Sequence, residues 1–217
     1  MKVVGLDIST KSGFAVAEID TEVRLIRSGT FFRDKDDQGV LDDYPKSMMA
    51  VVENAGEKVV SLIEEEKPDV IVIEETNLGR NRFSQKTLEW LHHYILERVL
   101  SKYKVEYIST SEWRATLQIK MTKEDKEHNK RIKENGERGK TSQKHLAIRF
   151  VNETMDMKLK PKNEDEADAI CLVLAFHKRQ ECLNKTTKSA SQTSNKQRSS
   201  LKGSTTSPRP KKGSKAE

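Results

Sequence analysis

Alternating apolar residues near the N-terminus, one β-branched run in the middle of the chain and helical stripes around it predict an α/β fold. The expected architecture is a mixed sheet, antiparallel meander plus parallel strands, flanked by helices and followed by a disordered basic C-terminal tail. Lys2 to Leu6 is a short apolar run, Gly13 to Ile19 alternates around Phe14, Val16 and Ile19, and Glu22 to Phe32 repeats the pattern after a turn near Asp20. Three consecutive strands of this kind make an antiparallel meander. Met48, Val52, Ala55, Val59 and Leu62 then recur at spacings of three and four, one face of a long helix that Pro68 stops. Asp69 to Glu74 reads Asp-Val-Ile-Val-Ile-Glu, the composition of a central strand buried on both faces.

Beyond it, Ser84 is placed to cap a helix carrying Leu88, Leu91, Ile95 and Val99 on one stripe. Val105 to Ile108 is a further short strand, and Ser111 is placed to cap a short helix with Trp113 and Leu117. Trp90 and Trp113 sit among apolar neighbours and read as core. Lys120 to Lys140 is almost all charge and amide, which predicts a mobile or solvent-bathed helical excursion outside the core. Helices from about Thr141 to Thr154 and from about Asp165 to Lys178 close the domain, the last burying Ala167, Ile170, Cys171 and Leu174.

The 217 residues allow one globular domain with chain left over. Charge locates the surplus. Residues 1–183 hold 31 basic and 33 acidic residues, a net −2, whereas residues 184–217 hold nine basic residues and one acid, a net +8. The division is therefore a globular body over 1–183 and a tail over 184–217. The tail's Ser, Thr, Lys, Gly and Pro content buries too little apolar surface to order it. Cys171 and Cys182 form no CxxC pattern, so neither a zinc site nor a disulfide framework is indicated. No apolar run approaches the roughly 20 residues of a membrane span, and the expected location is the cytoplasm.

Four acids stand at three separated points: Asp7 after the first apolar strand, Glu74 at the end of the central one, and Asp165 with Asp168 opening the last helix. Each has an ordinary alternative. Asp7 can form a turn with Ser9 and Thr10, Glu74 or its neighbour Glu75 can be a solvated strand end, and acids in a first helical turn complement the macrodipole. Asp165 and Asp168, three apart, share a helix face, and the small residues Ala167 and Ala169 beside Asp168 hold it close to the sheet. Hard oxygen ligands without His or Cys suit magnesium, with manganese able to substitute. Two such ions can activate a water and stabilise the leaving oxygen of a phosphoryl displacement. The five scattered histidines offer no Ser-His-Asp or Cys-His arrangement.

The opening Val-Gly-Leu-Asp-Ile-Ser-Thr-Lys-Ser-Gly-Phe-Ala, the strand Val-Ile-Val-Ile-Glu and the block Asp165-Glu-Ala-Asp-Ala-Ile resemble the RuvC-type Holliday junction resolvases, in a diverged form such as phages carry. The resemblance spans about residues 1–180. It implies a ribonuclease H-like fold, a homodimer, two magnesium ions per site and symmetrical nicking of four-way DNA junctions. Asp7, Glu74, Asp165 and Asp168 fall on the family's metal-binding acids, with Glu75 in reserve. In place of the family's early aromatic after the strand-end glutamate, the nearest here is Phe83. Arg80, Arg82 and Phe83 combine phosphate-binding charge with a stacking face, and Lys140 and Lys144 resemble the family's basic phosphate-contacting stretch. Two rivals share features: a branch or flap nuclease of the same fold, and an actin-like ATPase or kinase whose phosphate loop resembles Leu6 to Ser12.

Because the body is slightly acidic, the tail should supply much of any non-specific DNA affinity through counterion release. Removing residues 184–217 should weaken DNA binding more at low salt than at high salt and leave metal-dependent cutting measurable. Binding titrations across a salt series check this, and an unchanged salt slope would contradict it.

Overall fold

The computed structural model describes residues 1–9, 11–31, 44–75 and 82–200, those from 186 onward as backbone alone. The chain divides into two compact units, Met1–Arg179 and Gln180–Glu217. Strands β1 (Lys2–Asp7), β2 (Gly13–Ile19) and β3 (Val23–Thr30) come first; helix α1 (Lys46–Glu66) leads to β4 (Val70–Glu75), and α2 (Arg82–Val99) to β5 (Lys104–Ser109). Helices α3 (Thr110–Thr116), α4 (Lys123–Glu134), α5 (Gln143–Met155) and α6 (Glu164–Ser200) follow.

The sheet has the order β3-β2-β1-β4-β5. β1 pairs antiparallel with β2 and parallel with β4, and β4 pairs parallel with β5. The meander and the interior β4 are as the apolar patterns predict, with α1 and α2 as the crossovers that parallel pairing requires. Period two assigns each strand residue to a face. Val3, Ala15, Ala17, Val70, Val72 and Ile108 join Trp113, Leu146, Val151, Ile170 and Phe176 in one core, under α3, α5 and α6. Val4, Leu6, Val16, Ile71 and Ile73 join Val52, Val59, Leu62, Leu91, Ile95 and Val99 in the other, under α1 and α2.

The same alternation turns Gly5, Asp7, Gly13 and Glu74 toward α6. A Cβ built on Gly5 would stand 2.6 Å from the Ala169 carbonyl oxygen, and one on Gly13 only 1.9 Å from that of Asp165. The α6 backbone thus rests directly on β1 and β2, where only a residue without a side chain fits.

Several local expectations are corrected. α2 begins at Arg82, so Ser84 lies inside it, and the Thr87 hydroxyl bonds back to the Phe83 carbonyl at 3.0 Å. Strand β5 runs into α3 without a loop, so its last residue, Ser109, provides the cap and accepts the Glu112 N–H at 3.2 Å; Ser111 is already helical. α6 extends past Lys178 to Ser200, since adding a residue to a nucleated helix is far easier than starting one. Of the tail expected from Asn184, the part to Ser200 is therefore α6 backbone, and residues 201–217 lie outside the described residues.

The charged excursion is, as expected, a largely exposed helix outside both cores, and α4 is tied down at a few points. Thr122 and Asp125 form a capping box, and Arg149 of α5 grips both Asp125 oxygens, at 3.1 and 2.7 Å. Ile132 is buried, with Gly139 of the following connection beside it, and Asn129 exchanges two hydrogen bonds with the Thr141 backbone, at 2.9 and 2.7 Å. A few polar anchors do what an apolar stripe usually does, which is why periodicity alone missed the docking. Among the described residues no helix is long and apolar enough to cross a membrane.

Gly13→Ala should force α6 off the sheet and destabilise the fold by about 1–3 kcal/mol. Gly29→Ala should be milder, because its Cβ would meet only the Phe14 ring at 3.1 Å. Thermal denaturation giving equal losses for both would contradict this account of the α6 contact.

Candidate active site

In the parallel pairing of β1 with β4, Leu6 is level with Ile73, so the next residues, Asp7 and Glu74, leave the sheet side by side on the α6 face. Above them, the close contact at Gly5 and Gly13 sets down the first turns of α6 with Asp165 and Asp168. The expected four acids thus lie on one face of the sheet, within electrostatic reach of one another. The reserve, Glu75, does not join them: it is exposed and faces the other side of the sheet, where its charge adds to the burial that raises the Tyr107 phenol.

Electrostatics records how close the four stand. Burial, then the charges of Glu74, Asp168 and Asp165, push the Asp7 carboxyl well above the usual carboxylate range, with Lys144 opposing. Asp168 is raised to about 7, chiefly by burial and then by Glu74; Asp165 adds to the rise while Arg114 and Lys144 oppose it. Asp168 is only 4% exposed, and its Oδ1 is buried with no hydrogen-bond partner among the described residues. A buried carboxylate oxygen without donor or cation is costly and marks a place where a positive ligand would be welcome.

The other two acids are held by the protein. Glu74 Oε1 accepts from the Thr110 hydroxyl and Oε2 from the Trp113 indole N–H at 3.0 Å. Asp165 pairs with Lys11 at 3.1 Å and with Lys144 at 3.3 Å, and Lys144 also meets Glu164 at 3.0 Å. Sequence reading placed Trp113 in the core, where it is, but missed its bond to Glu74; an indole N–H that is buried needs an acceptor, and that was the available signal. Lys11 was missed as well. It is presented by a turn in which Ser12 Oγ donates to the Ser9 carbonyl at 2.6 Å and Lys11 N–H donates to Ser9 Oγ at 3.0 Å. These serines close the turn.

Among the described residues no three His, Cys, Asp or Glu side chains stand at the mutual spacing that holds a metal ion. The donor chemistry nevertheless fits a hard divalent cation: oxygen ligands only, an orphaned buried oxygen on Asp168, and Asp7 and Asp168 both raised by burial and by the charge of Glu74. Closing such a centre would draw Asp165 away from its lysine partners, whereas each Glu74 oxygen keeps a lone pair free beside its bond to Thr110 or Trp113.

The expected DNA-contacting residues are distributed unevenly. Lys144 sits in the acid cluster, and Lys140 is exposed in the connection between α4 and α5. Arg82 and Phe83 open α2, both exposed, with the Phe83 ring 6.1 Å from that of Tyr44. Arg80 lies outside the described residues.

A mixed sheet of this order, with acids on one face beneath a closing helix, defines a ribonuclease H-like α/β protein. More particularly, the chain has the fold of the RuvC-type resolvases. It is similar to Thermus thermophilus RuvC in complex with a Holliday junction substrate, with a TM-score of 0.60 and 14% identity over 84% of this chain and 96% of that one. Thermus thermophilus RuvC in a second structure gives a TM-score of 0.58 at 15% identity over 84% and 96%. The yeast mitochondrial Holliday junction resolvase gives 0.55 at 15% identity over 88% and 83%. In sequence, no family model and no curated protein matches the chain.

Because folding raises the affinity of Asp7 and Asp168 for protons, the metal-free fold should lose stability as pH rises above the ordinary carboxylate range, with the share from Asp168 lost by about pH 7. Magnesium, which binds the deprotonated acids, should raise the melting temperature more at pH 8 than at pH 5. Melting curves with chelator and with magnesium check both slopes; a magnesium effect independent of pH would contradict the assignment.

Proposed function

We propose that the chain is a divalent-metal-dependent, structure-specific endonuclease that nicks four-way DNA junctions, with Asp7, Glu74, Asp165 and Asp168 as its metal-binding acids. The observation that carries this reading is the pair of carboxyls Asp7 and Asp168, each raised by desolvation and then by the charge of Glu74, set with Glu74 and Asp165 on one face of the sheet, with Asp168 Oδ1 buried and unpartnered among the described residues. The fold likeness to proteins described as resolvases gives the acids a substrate class.

Two magnesium ions, or manganese in their place, would supply a polarised water and charge stabilisation at the scissile phosphate. The residues' own parts follow from their surroundings. Thr110 and Trp113 orient Glu74, so its carboxylate is presented in one direction. Lys11 and Lys144 balance Asp165 and stand ready to meet phosphate oxygens once that acid turns to the ion. Arg82, Phe83 and Lys140, with Arg80, are assigned to the DNA strands that approach the site. A homodimer would place two such sites on opposing strands of a two-fold junction.

Asp7→Asn, Glu74→Gln and Asp168→Asn should each lower cleavage at least about 100-fold while retaining junction binding, since the ions serve the transition state more than affinity. Labelled four-way, flap and linear DNA, each incubated with and without magnesium, provide the assay. Cutting of the four-way substrate alone supports the proposal, a preference for flaps moves the chain to branch nuclease, and near-normal nicking by two of the variants ends the assignment.

A further inference from the structure

α4 has a second side that its anchoring leaves outward. Asp125 and Ile132 are buried, and Asn129 is tied to Thr141, so these residues define the face turned to the body. Lys123, Lys126, Lys130 and Lys133 recur at spacings of three, four and three, and all four are exposed. At the α-helical rise their span is about 15 Å, the axial distance of roughly four phosphates on one strand of a duplex. Lys130 makes one pair with Glu134, at 3.9 Å, a surface contact of little energy.

Loose lysines on a flexible segment would be solubilising charge. These are fixed. The capping box at Thr122, the two-pronged Arg149 grip on Asp125 and the Asn129–Thr141 exchange hold the helix at its start and middle. The grip is strong enough to hold the Asp125 carboxyl far below the usual carboxylate range. The far end closes with Glu137 N–H on the Ile132 carbonyl at 3.0 Å, and Gly136 takes the positive φ of 66° that this turn needs.

The chain then returns along α4, with Gly139 against Ile132 and His128 near the Gly139 carbonyl. It passes Lys140 and enters α5, where Lys144 meets Asp165 of the acid cluster. A rigid row of lysines is therefore joined to the acid cluster by a short, hydrogen-bonded connection that itself carries basic residues.

We propose that α4 is a DNA-phosphate-binding helix, its Lys123, Lys126, Lys130 and Lys133 stripe gripping the backbone of a duplex arm that leads into the acid cluster. This rests on the nuclease reading above and adds a surface to it. The stripe reads no sequence; it contributes affinity, salt dependence and the register of the arm.

The test uses the full chain with all four lysines changed to Gln, which keeps the helix-forming character of the segment. Binding of a labelled four-way junction is followed by fluorescence anisotropy across a salt series, with circular dichroism as a check on folding. Affinity at low salt should fall about 10- to 100-fold, and the slope of log affinity against log salt should become shallower by about 2 to 4. A second variant, Glu124→Gln with Glu127→Gln, makes α4 more basic and should tighten binding several-fold. Wild-type affinity and slope in both variants would overturn the stripe while leaving the nuclease reading intact. Failure of the unaltered chain to bind any DNA would overturn the nuclease reading and the stripe with it.

Discussion

The contact between the α6 backbone and the two glycines of the sheet is the constraint on which the site depends. A helix packed on a sheet through ordinary side chains stands about 10 Å off; here the carbonyls of Asp165 and Ala169 lie where the Cβ atoms of Gly13 and Gly5 would be. That approach puts acids of the first α6 turns within electrostatic reach of strand-end acids from β1 and β4. It also explains the small residues around Asp168, since Ala167 and Ala169 are fully buried in the same seam. The apolar residues behind them, Ile170, Val173 and Phe176, hold the helix down, so hydrophobic burial opposes the repulsion that the acids create.

The protein distributes that repulsion unequally. Glu74 and Asp165 have donors around them, two neutral ones for Glu74 and two lysines for Asp165. Asp7 and Asp168 bear the burial, and protonation is their relief in the absence of a cation. Arg114, stacked 4.7 Å from the Trp113 ring centroid, lends Asp168 some positive potential from α3. The result is a cluster whose lowest-energy composition changes with what surrounds it: protons at low pH, lysines where they reach, and a hard cation where one is supplied. An acid cluster serving stability alone would place its charges at the rim, where water solvates them.

Much of this could be read from the sequence because it follows from local period. The unbroken run from Val70 to Ile73 marks an interior strand, alternation separates Glu74 from Glu75, and the spacing of Asp165 and Asp168 puts both on one helix face. The features that escaped depend on pairs far apart in sequence. Trp113 and Glu74 are 39 residues apart, and Lys11 and Asp165 lie at opposite ends of the body. The docking of α4 escaped for the same reason. Its anchor is a bidentate ion pair between Asp125 and Arg149, 24 residues apart, and hydropathy gives no sign of it. The helix starts shifted because caps are chosen by where the preceding strand stops, as Ser109 shows at the end of β5.

The two basic regions of the body now have distinct physical characters. Lys11 and Lys144 sit against carboxylates, and their charge is already engaged at short range. The α4 lysines face water on a helix fixed by bonds made on its other side. On the proposal above, a phosphate backbone would meet the α4 lysines at short range, since four acids among five basic residues leave that helix little net charge at Debye distances. Only when the polyanion reaches the acid cluster do Asp165 and its lysines need to separate. The order of events follows from that difference: capture by exposed charge on α4 comes before rearrangement of paired charge at the site. On that proposal the first contact with DNA would fall to residues outside the acid cluster, in a body whose net charge, taken as a whole, is slightly negative.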